Sequence, residues 1–427
     1  MLKPENLESE DGVLSARVLT RALGVDAKTV RVEAAELVED RLEVRVRPRW
    51  RQRWCCPRCG LRAPGYDSPP ARRWRALDVG RVPVFLVAAV PRVSCPAHGV
   101  LVAAVPWARP GARHTRAFEQ LAAWCAVEMS SSAAATLLRC SWRTIGAMVA
   151  RVEADLRAGA DRLDGLARIG VDEVSYRRGF KYLTVVVDHD RRRLVWAARG
   201  ASAATLDGFF DALGETRAAA LTQVSADAAP WIRQVVTRRA PQAQLCADPF
   251  HVVAWVTDAL DQVRRNVWNA YRVRQPRGGH GTGEGKVIRD ARWALWKNPE
   301  NLNAKQRQQL GYLLTMHPQL IEAWVLKEGL RSVFRFSGPA AIETFDHWVD
   351  RAVISDLEPF QRLADRLATH RPQIVATLTH GLSNALIESM NTKIRLITRR
   401  AFGFRNPEAL IALVQLSLGG YRPQLPT

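Results

Sequence analysis

The order of patterned segments between residues 167 and 250 constrains the chain more than any other feature. Residues 167–171 are apolar and lead into Asp172-Glu173. Residues 180–187 (FKYLTVVV) are an aromatic and β-branched run closed by Asp188-His189-Asp190, and residues 193–198 make a third run. A helical stretch at 203–215 comes next. It is followed by a strand at 221–226 ending at Asp227, a helix at 228–239 and a fifth strand at 243–247 ending at Asp248. Strands joined by tight turns pair antiparallel, whereas strands separated by helices join a sheet in parallel through right-handed crossovers. One mixed sheet with helices on its faces is the expected outcome.

That order is the one expected of a ribonuclease-H-like α/β fold. Residues 251–380 then read as helices, broken by the basic Gly-rich stretch 274–286, which is expected to be a mobile loop. A helix at 384–400 follows. Asn384, Glu388, Asn391 and Arg395 share one face of it, and Leu386, Met390, Ile394 and Ile397 share another. A last apolar helix covers 406–418.

Three acids fall where a carboxylate site needs them. Asp172 is expected to end the first strand and Asp227 the fourth, so that both converge on one edge of the sheet. Glu388 arrives on a helix packed over it. Three hard oxygen ligands suit two Mg²⁺ (or Mn²⁺) ions about 3.5–4 Å apart, which activate water or a 3′-hydroxyl at a phosphodiester. Asp248 competes with Asp227 for the second position, and Asp248 with His251 forms a further pair at a helix start. Glu173 and Asp188 are expected at the periphery of the site or on the surface. No Ser-His-Asp or Cys-His pattern supplies a protein nucleophile.

Upstream, Cys56-Pro-Arg-Cys59 and Cys95-Pro-Ala-His98 are two knuckles of the C-x-x-C and C-x-x-H type. Three thiolates and an imidazole at this spacing suit a closed, structural zinc site. Cys55 competes with Cys56 as ligand. Trp50, Trp54 and Trp74 either touch DNA or pack around the metal. Residues 1–48 offer a short helix and two strands. Residues 116–129, 133–138 and 142–157 read as helices capped by Thr115, the serines at 130–132 and Ser141. The last two form a helix-turn-helix that presents Trp142, Arg143 and Thr144 at the start of its second helix.

Charge names the partner class. Lys plus Arg is 62 and Asp plus Glu is 42, so the net charge is +20 and a polyanion is the leading partner. Seven cysteines are too few for a disulfide scaffold of this length. The acidic, polar N-terminus lacks a signal-peptide core, and the longest apolar run (82–90) falls far short of the ~20 residues that span a bilayer. A cytoplasmic, nucleoid-associated protein with no membrane partner is expected.

Five segments in this order, GVDEVSY (170–176), VSAD (224–227), ADPFHVV (247–253), ESMNTKIR (388–395) and RRAFGFRNP (399–407), resemble the transposases of the ISL-three family of bacterial insertion sequences. The resemblance covers most of the chain. It departs at CPAHG, where the family more usually has a second Cys pair. It implies a DDE catalytic domain with a ribonuclease-H-like mixed sheet and a long all-helical insertion, preceded by a small zinc-binding β-rich domain and a helix-turn-helix. The corresponding divisions are 1–48, 49–110, 111–160 and 165–427, with the insertion at about 255–380. It also implies Mg²⁺-dependent cleavage and strand transfer at terminal inverted repeats. Asp172, Asp227 and Glu388 match the three acids, and Asp248 and His251 match a D-x-x-H motif. Asn391, Lys393, Arg395, Arg399 and Arg400 are expected on DNA, and synapsis of two ends calls for a homo-oligomer. The competing readings are a metal-dependent nuclease or resolvase of the same fold, and an inactive DNA-binding repressor.

Overall fold

A computed structural model describes residues 16–227, 229–274 and 283–425. They form two compact units, one of residues up to 162 together with 397 onward, the other of residues 163–396. The central part of the expected mobile loop, residues 275–282, lies outside the described residues.

In the first unit, the antiparallel pair β1 (Val30–Val38) and β2 (Arg41–Pro48) carries an alternating apolar face, with Val30, Val32, Val44 and Val46 buried. The following strands are β3 (Gly65–Asp67), β4 (Arg72–Arg75), β5 (Val84–Ala88), β6 (Arg92–Cys95) and β7 (Gly99–Val102). One sheet has the order β1-β2-β5-β4 and a second the order β3-β6-β7. β2 pairs in parallel with β5, so the hairpin β1-β2 and the strands β4 and β5 share one sheet, and the described residues from Leu19 to Ala108 contribute to one core. Trp74 is 3% exposed and edge-on to Trp107, which assigns it to that core. Trp50 and Trp54 stay exposed.

Helices Arg116–Glu128, Ser131–Leu137 and Trp142–Ala158 are capped by the side chains of Thr115, Ser130 and Ser141, each accepting a backbone N–H. Such caps contribute ~1 kcal/mol apiece. Glu119, fully buried on the first helix, accepts from Arg109 (2.8 Å) and Arg151 (2.7 Å), which pins the third helix to the first. The last helix, Pro407–Leu418, packs against Arg116–Glu128 and Trp142–Ala158. Buried Arg162 joins it to the third helix, donating to Gln415 (2.6 Å) and Glu153 (3.2 Å). The final helix thus packs with the helix-turn-helix helices.

The second unit holds a five-stranded sheet of β8 (Arg168–Arg177), β9 (Lys181–Asp188), β10 (Arg193–Arg199), β11 (Gln223–Ala226) and β12 (Gln244–Ala247), in the order β10-β9-β8-β11-β12. The pairs β10/β9 and β9/β8 are antiparallel, and β8/β11 and β11/β12 are parallel. This is the expected ribonuclease-H-like order. The helix expected at 203–215 is two, Ala203–Leu213 and Glu215–Ala219, divided at Gly214, whose φ of +81° ends the first. Asp172 does not end its strand: β8 continues through Arg177 because it still pairs with β9 there. Among the described residues the insertion is a series of helices, from Pro249 to Arg274 and again from Gly283 to His380. In the helix Ala385–Arg400, the buried residues are Ile387, Met390, Asn391, Ile394 and Ile397. Ile387 replaces the expected Leu386 on the core face.

Candidate active site and metal centres

Cys56, Cys59, Cys95 and His98 bring one ligand atom each to within 4.8 Å of one another. Gly60 (φ +72°) and Gly99 (φ +70°) turn the chain just after each knuckle, in a region other residues rarely enter. The Sγ atoms of Cys59 and Cys95 are 3.8 Å apart, and His98 Nδ1 lies 3.5 Å from Cys95 Sγ and 3.7 Å from Cys56 Sγ. Tetrahedral zinc, with Zn–S about 2.3 Å and Zn–N about 2.0–2.1 Å, requires edges of about 3.8 Å and 3.6 Å, so the donor set fits. The backbone amides of Cys59 and Arg58 pull the Cys56 thiol down to about 6. Cys55 faces away, with its Sγ 3.7 Å from the carbonyl of Arg53. The geometry therefore selects Cys56 between the two candidates.

The second centre is built by register. Val171 of β8, Ala226 of β11 and Ala247 of β12 lie side by side. The next residue of each is an aspartate, so Asp172, Asp227 and Asp248 form a row across three parallel strands about 4.8 Å apart. Asp172 accepts the Glu173 amide at Oδ1 (2.7 Å) and the Asn391 side-chain amide at Oδ2 (2.7 Å). Burial pushes Asp172 up to about 6, against the Glu173 amide, and the neighbouring Asp227 charge adds to the rise. A cation between these two carboxylates would offset that repulsion, so the pair suits a hard divalent ion. Burial and the charge of Asp227 also raise Glu173.

Asp248 is 8% exposed and turned inward. Its Oδ1 accepts the Phe250 amide (3.3 Å) at the start of the helix Pro249–Arg274, and its Oδ2 meets His251 Nδ1 at 2.8 Å. The other ring nitrogen of His251 lies 3.3 Å from Asp227 Oδ2. Its hydrogen bond to the Asp248 carboxylate raises His251 above the usual imidazole range, against burial, and Asp227 adds to the effect. Asp227 is thus flanked by Asp172 on one side and an Asp248–His251 pair on the other.

Glu388 is exposed in the first turn of its helix. It precedes Asn391 by three residues, so their Cβ atoms are about 5–6 Å apart on one face. Asn391 itself is hydrogen-bonded to Asp172 (2.7 Å). Among the described residues the Cys/His set is the only group of three or more such ligands within 4.8 Å of one another; the three acids are not drawn together to that degree.

The expected DNA contacts divide. Trp142 (57% exposed), Arg143, Lys393, Arg395 and Arg399 are exposed and Thr144 is half-buried. Asn391 is only 2% exposed, because its amide is held by Asp172. Arg400 donates to the carbonyls of Val127 (2.6 Å) and Glu128 (3.2 Å), at the C-terminal end of the helix Arg116–Glu128. These two side chains are engaged within the protein. The role of Asn391 had one trace in the sequence, its place three residues after Glu388 on the polar face.

Comparison with known proteins agrees with this geometry. Residues 169–414 match the transposase (DDE) domain of family ISL3, residues 103–153 its helix-turn-helix domain, and residues 52–98 the zinc finger of the IS204/IS1001/IS1096/IS1165 transposases. The chain is 50% identical over 433 residues to the transposase of insertion sequence IS1557 from Mycobacterium tuberculosis, covering 96% of this chain and 97% of that protein. It is 29% identical over 373 residues to the IS1001 transposase of Bordetella parapertussis, covering 86% and 89%. Among the described residues no helix is long and apolar enough to cross a membrane. The zinc-knuckle donor set and the DDE domain accord with structural zinc and a divalent catalytic metal, and the helix-turn-helix with DNA binding. The chain belongs to the ISL3 family of insertion-sequence transposases, DDE enzymes that cleave and transfer DNA.

Proposed function

We propose that the chain binds the terminal inverted repeats of its own element and that Asp172, Asp227 and Glu388 hold Mg²⁺ (or Mn²⁺) at the phosphodiester to be cut. The observation that carries this reading is the in-register row of Asp172, Asp227 and Asp248 on one sheet edge. Asp227 takes the second position, because Asp248 is buried and already bonded to His251. When bound, the metal supplies an activated oxygen nucleophile and neutralises charge at the leaving oxygen. Asp172 is kept oriented by Asn391, and the Asp248–His251 pair orients Asp227. Water attacks phosphorus and the 3′-oxygen leaves; the freed 3′-hydroxyl then attacks a phosphodiester of target DNA, joining to its phosphorus as the target strand's own 3′-oxygen leaves.

Trp142, Arg143 and Thr144 read base edges, while Lys393, Arg395 and Arg399 meet phosphates. In functional terms residues 49–110 stabilise the reader, 111–160 read the duplex and 165–427 do the chemistry. Two ends must be held at once, so the active form is at least a dimer working at the nucleoid. The test uses a labelled duplex of the DNA bordering the reading frame, with Mg²⁺. Glu388→Gln should bind it and fail to cut it; cutting at the wild-type rate would remove Glu388 from the site.

A further inference from the structure

The sheet does not stop at the carboxylate row. β8 pairs with β11 only from Arg168 to Val171, and β9 pairs with β10 only from Leu183 to Asp188. Residues 175–181 are therefore the end of a two-stranded ribbon, paired only within itself beyond Tyr182, whose carbonyl still accepts the Gly200 amide (3.0 Å). Since β8 runs in the same direction as β11 and β12, the ribbon extends past the row on the side the aspartates occupy.

Its tip, Arg177-Arg178-Gly179-Phe180-Lys181, is exposed throughout. Phe180 is 90% exposed at φ +57°, after Gly179 at φ +83°. A bulky side chain at such a positive φ is strained. No acidic residue occurs from Val174 to Val187, and among the described residues Arg177, Arg178 and Lys181 form no ion pair. An exposed aromatic ring in a strained turn, ringed by unpaired cations, is the chemistry of a wedge that enters a base stack while its neighbours hold phosphates. A second copy of the chain is the other candidate occupant. At +20 per chain a cationic tip is repelled by a second copy and attracted by a duplex.

We propose that this ribbon is a DNA wedge, with Phe180 inserted between base pairs at a fixed distance from the phosphodiester on the carboxylate row. The proposal rests on the row being the cleavage site. From Asp172 to the tip is about 20 Å at ~3.3 Å per residue, which is about six base pairs at ~3.4 Å each.

The test takes the full-length protein and a duplex of the bordering DNA, with 2-aminopurine stepped along it from the mapped cut. Wild type should raise the fluorescence several-fold at a step about six base pairs from the cut. Phe180→Ala should lose that signal and Phe180→Trp keep it. Phe180→Gly should lose it too while raising the melting temperature, because it relieves the turn. An unchanged profile in Phe180→Ala, or no unstacked step in wild type, overturns the wedge. Dissociation of a dimer by Phe180→Ala, with the fluorescence unchanged, overturns it in favour of a protein interface. Asp172→Asn separates the two readings: it should abolish cutting and keep the signal. If it cuts normally, the site reading falls and takes the distance argument with it, whereas a wedge failure alone leaves the site untouched.

Discussion

The zinc knuckles and the carboxylate row proposed to hold the catalytic metal are built in opposite ways. At the knuckles, two local turns deliver two ligands each and the donor set is closed, with all four atoms within 4.8 Å. At the row, each acid comes from a different element, and 161 positions separate Glu388 from Asp227. Asp172 and Asp227 sit side by side, and Asp172 is pushed up to about 6, by burial first and by the Asp227 charge second. A structural metal needs every position filled by protein, whereas a catalytic one must leave room for the reacting phosphate. The difference between a closed and an open donor set is thus a difference in purpose.

The largest expected effect breaks the closed site. Cys56→Ala should reduce bound zinc from one equivalent to near zero, measured by metal analysis of the purified protein, and should unfold the knuckle segment. Structural zinc contributes on the order of 10 kcal/mol to folding in small zinc peptides, which no neighbouring contact replaces. Cys55→Ala should keep full zinc, since its sulfur faces the Arg53 carbonyl; zinc loss there would reverse the ligand assignment.

The open site is sharpened by comparing its two candidate second acids. Asp227→Asn should lower cleavage of the bordering duplex by on the order of 10³-fold, as a lost metal ligand does. Asp248→Asn should cost about 10–100-fold, because it disturbs only the orientation of His251 and Asn still caps the helix. The reverse ranking in single-turnover rates would place Asp248 on the metal.

The smallest effect concerns the two last arginines of the Glu388 helix. Arg400→Ala should cost ~1 kcal/mol of stability, seen as a lower melting temperature, and leave the salt dependence of DNA binding unchanged. Arg399→Ala should leave stability alone and reduce the salt slope by about one ion. Equal salt slopes for both variants would return Arg400 to the DNA surface.

Much of this architecture was legible because it is local. The knuckles, the three helix caps and the order of strands and helices each depend on residues a few positions apart. Asp227 and Asp248 were placed correctly beyond their strands because β11 and β12 end together, at Ala226 opposite Ala247. Asp172 was misplaced for the converse reason: its strand is prolonged by β9, a partner that the apolar run 167–171 does not reveal. Asn391 and Arg400 looked like DNA contacts because an amide or guanidinium on a polar face carries no mark of what it will meet.

The sequence by itself determined the fold order, the zinc ligands as residue types, the helix-turn-helix and the affinity for a polyanion. All of these follow from periodicity, capping, spacing and net charge, which act over short distances or over the whole chain at once. Only the tertiary structure decided that three aspartates align, that Cys56 and not Cys55 joins the knuckle, that the last helix packs with the DNA reader, and that a ribbon tipped by Phe180 runs past the carboxylate row. Each of these depends on strand register or on a contact between distant residues, and register is set by the packing of whole faces.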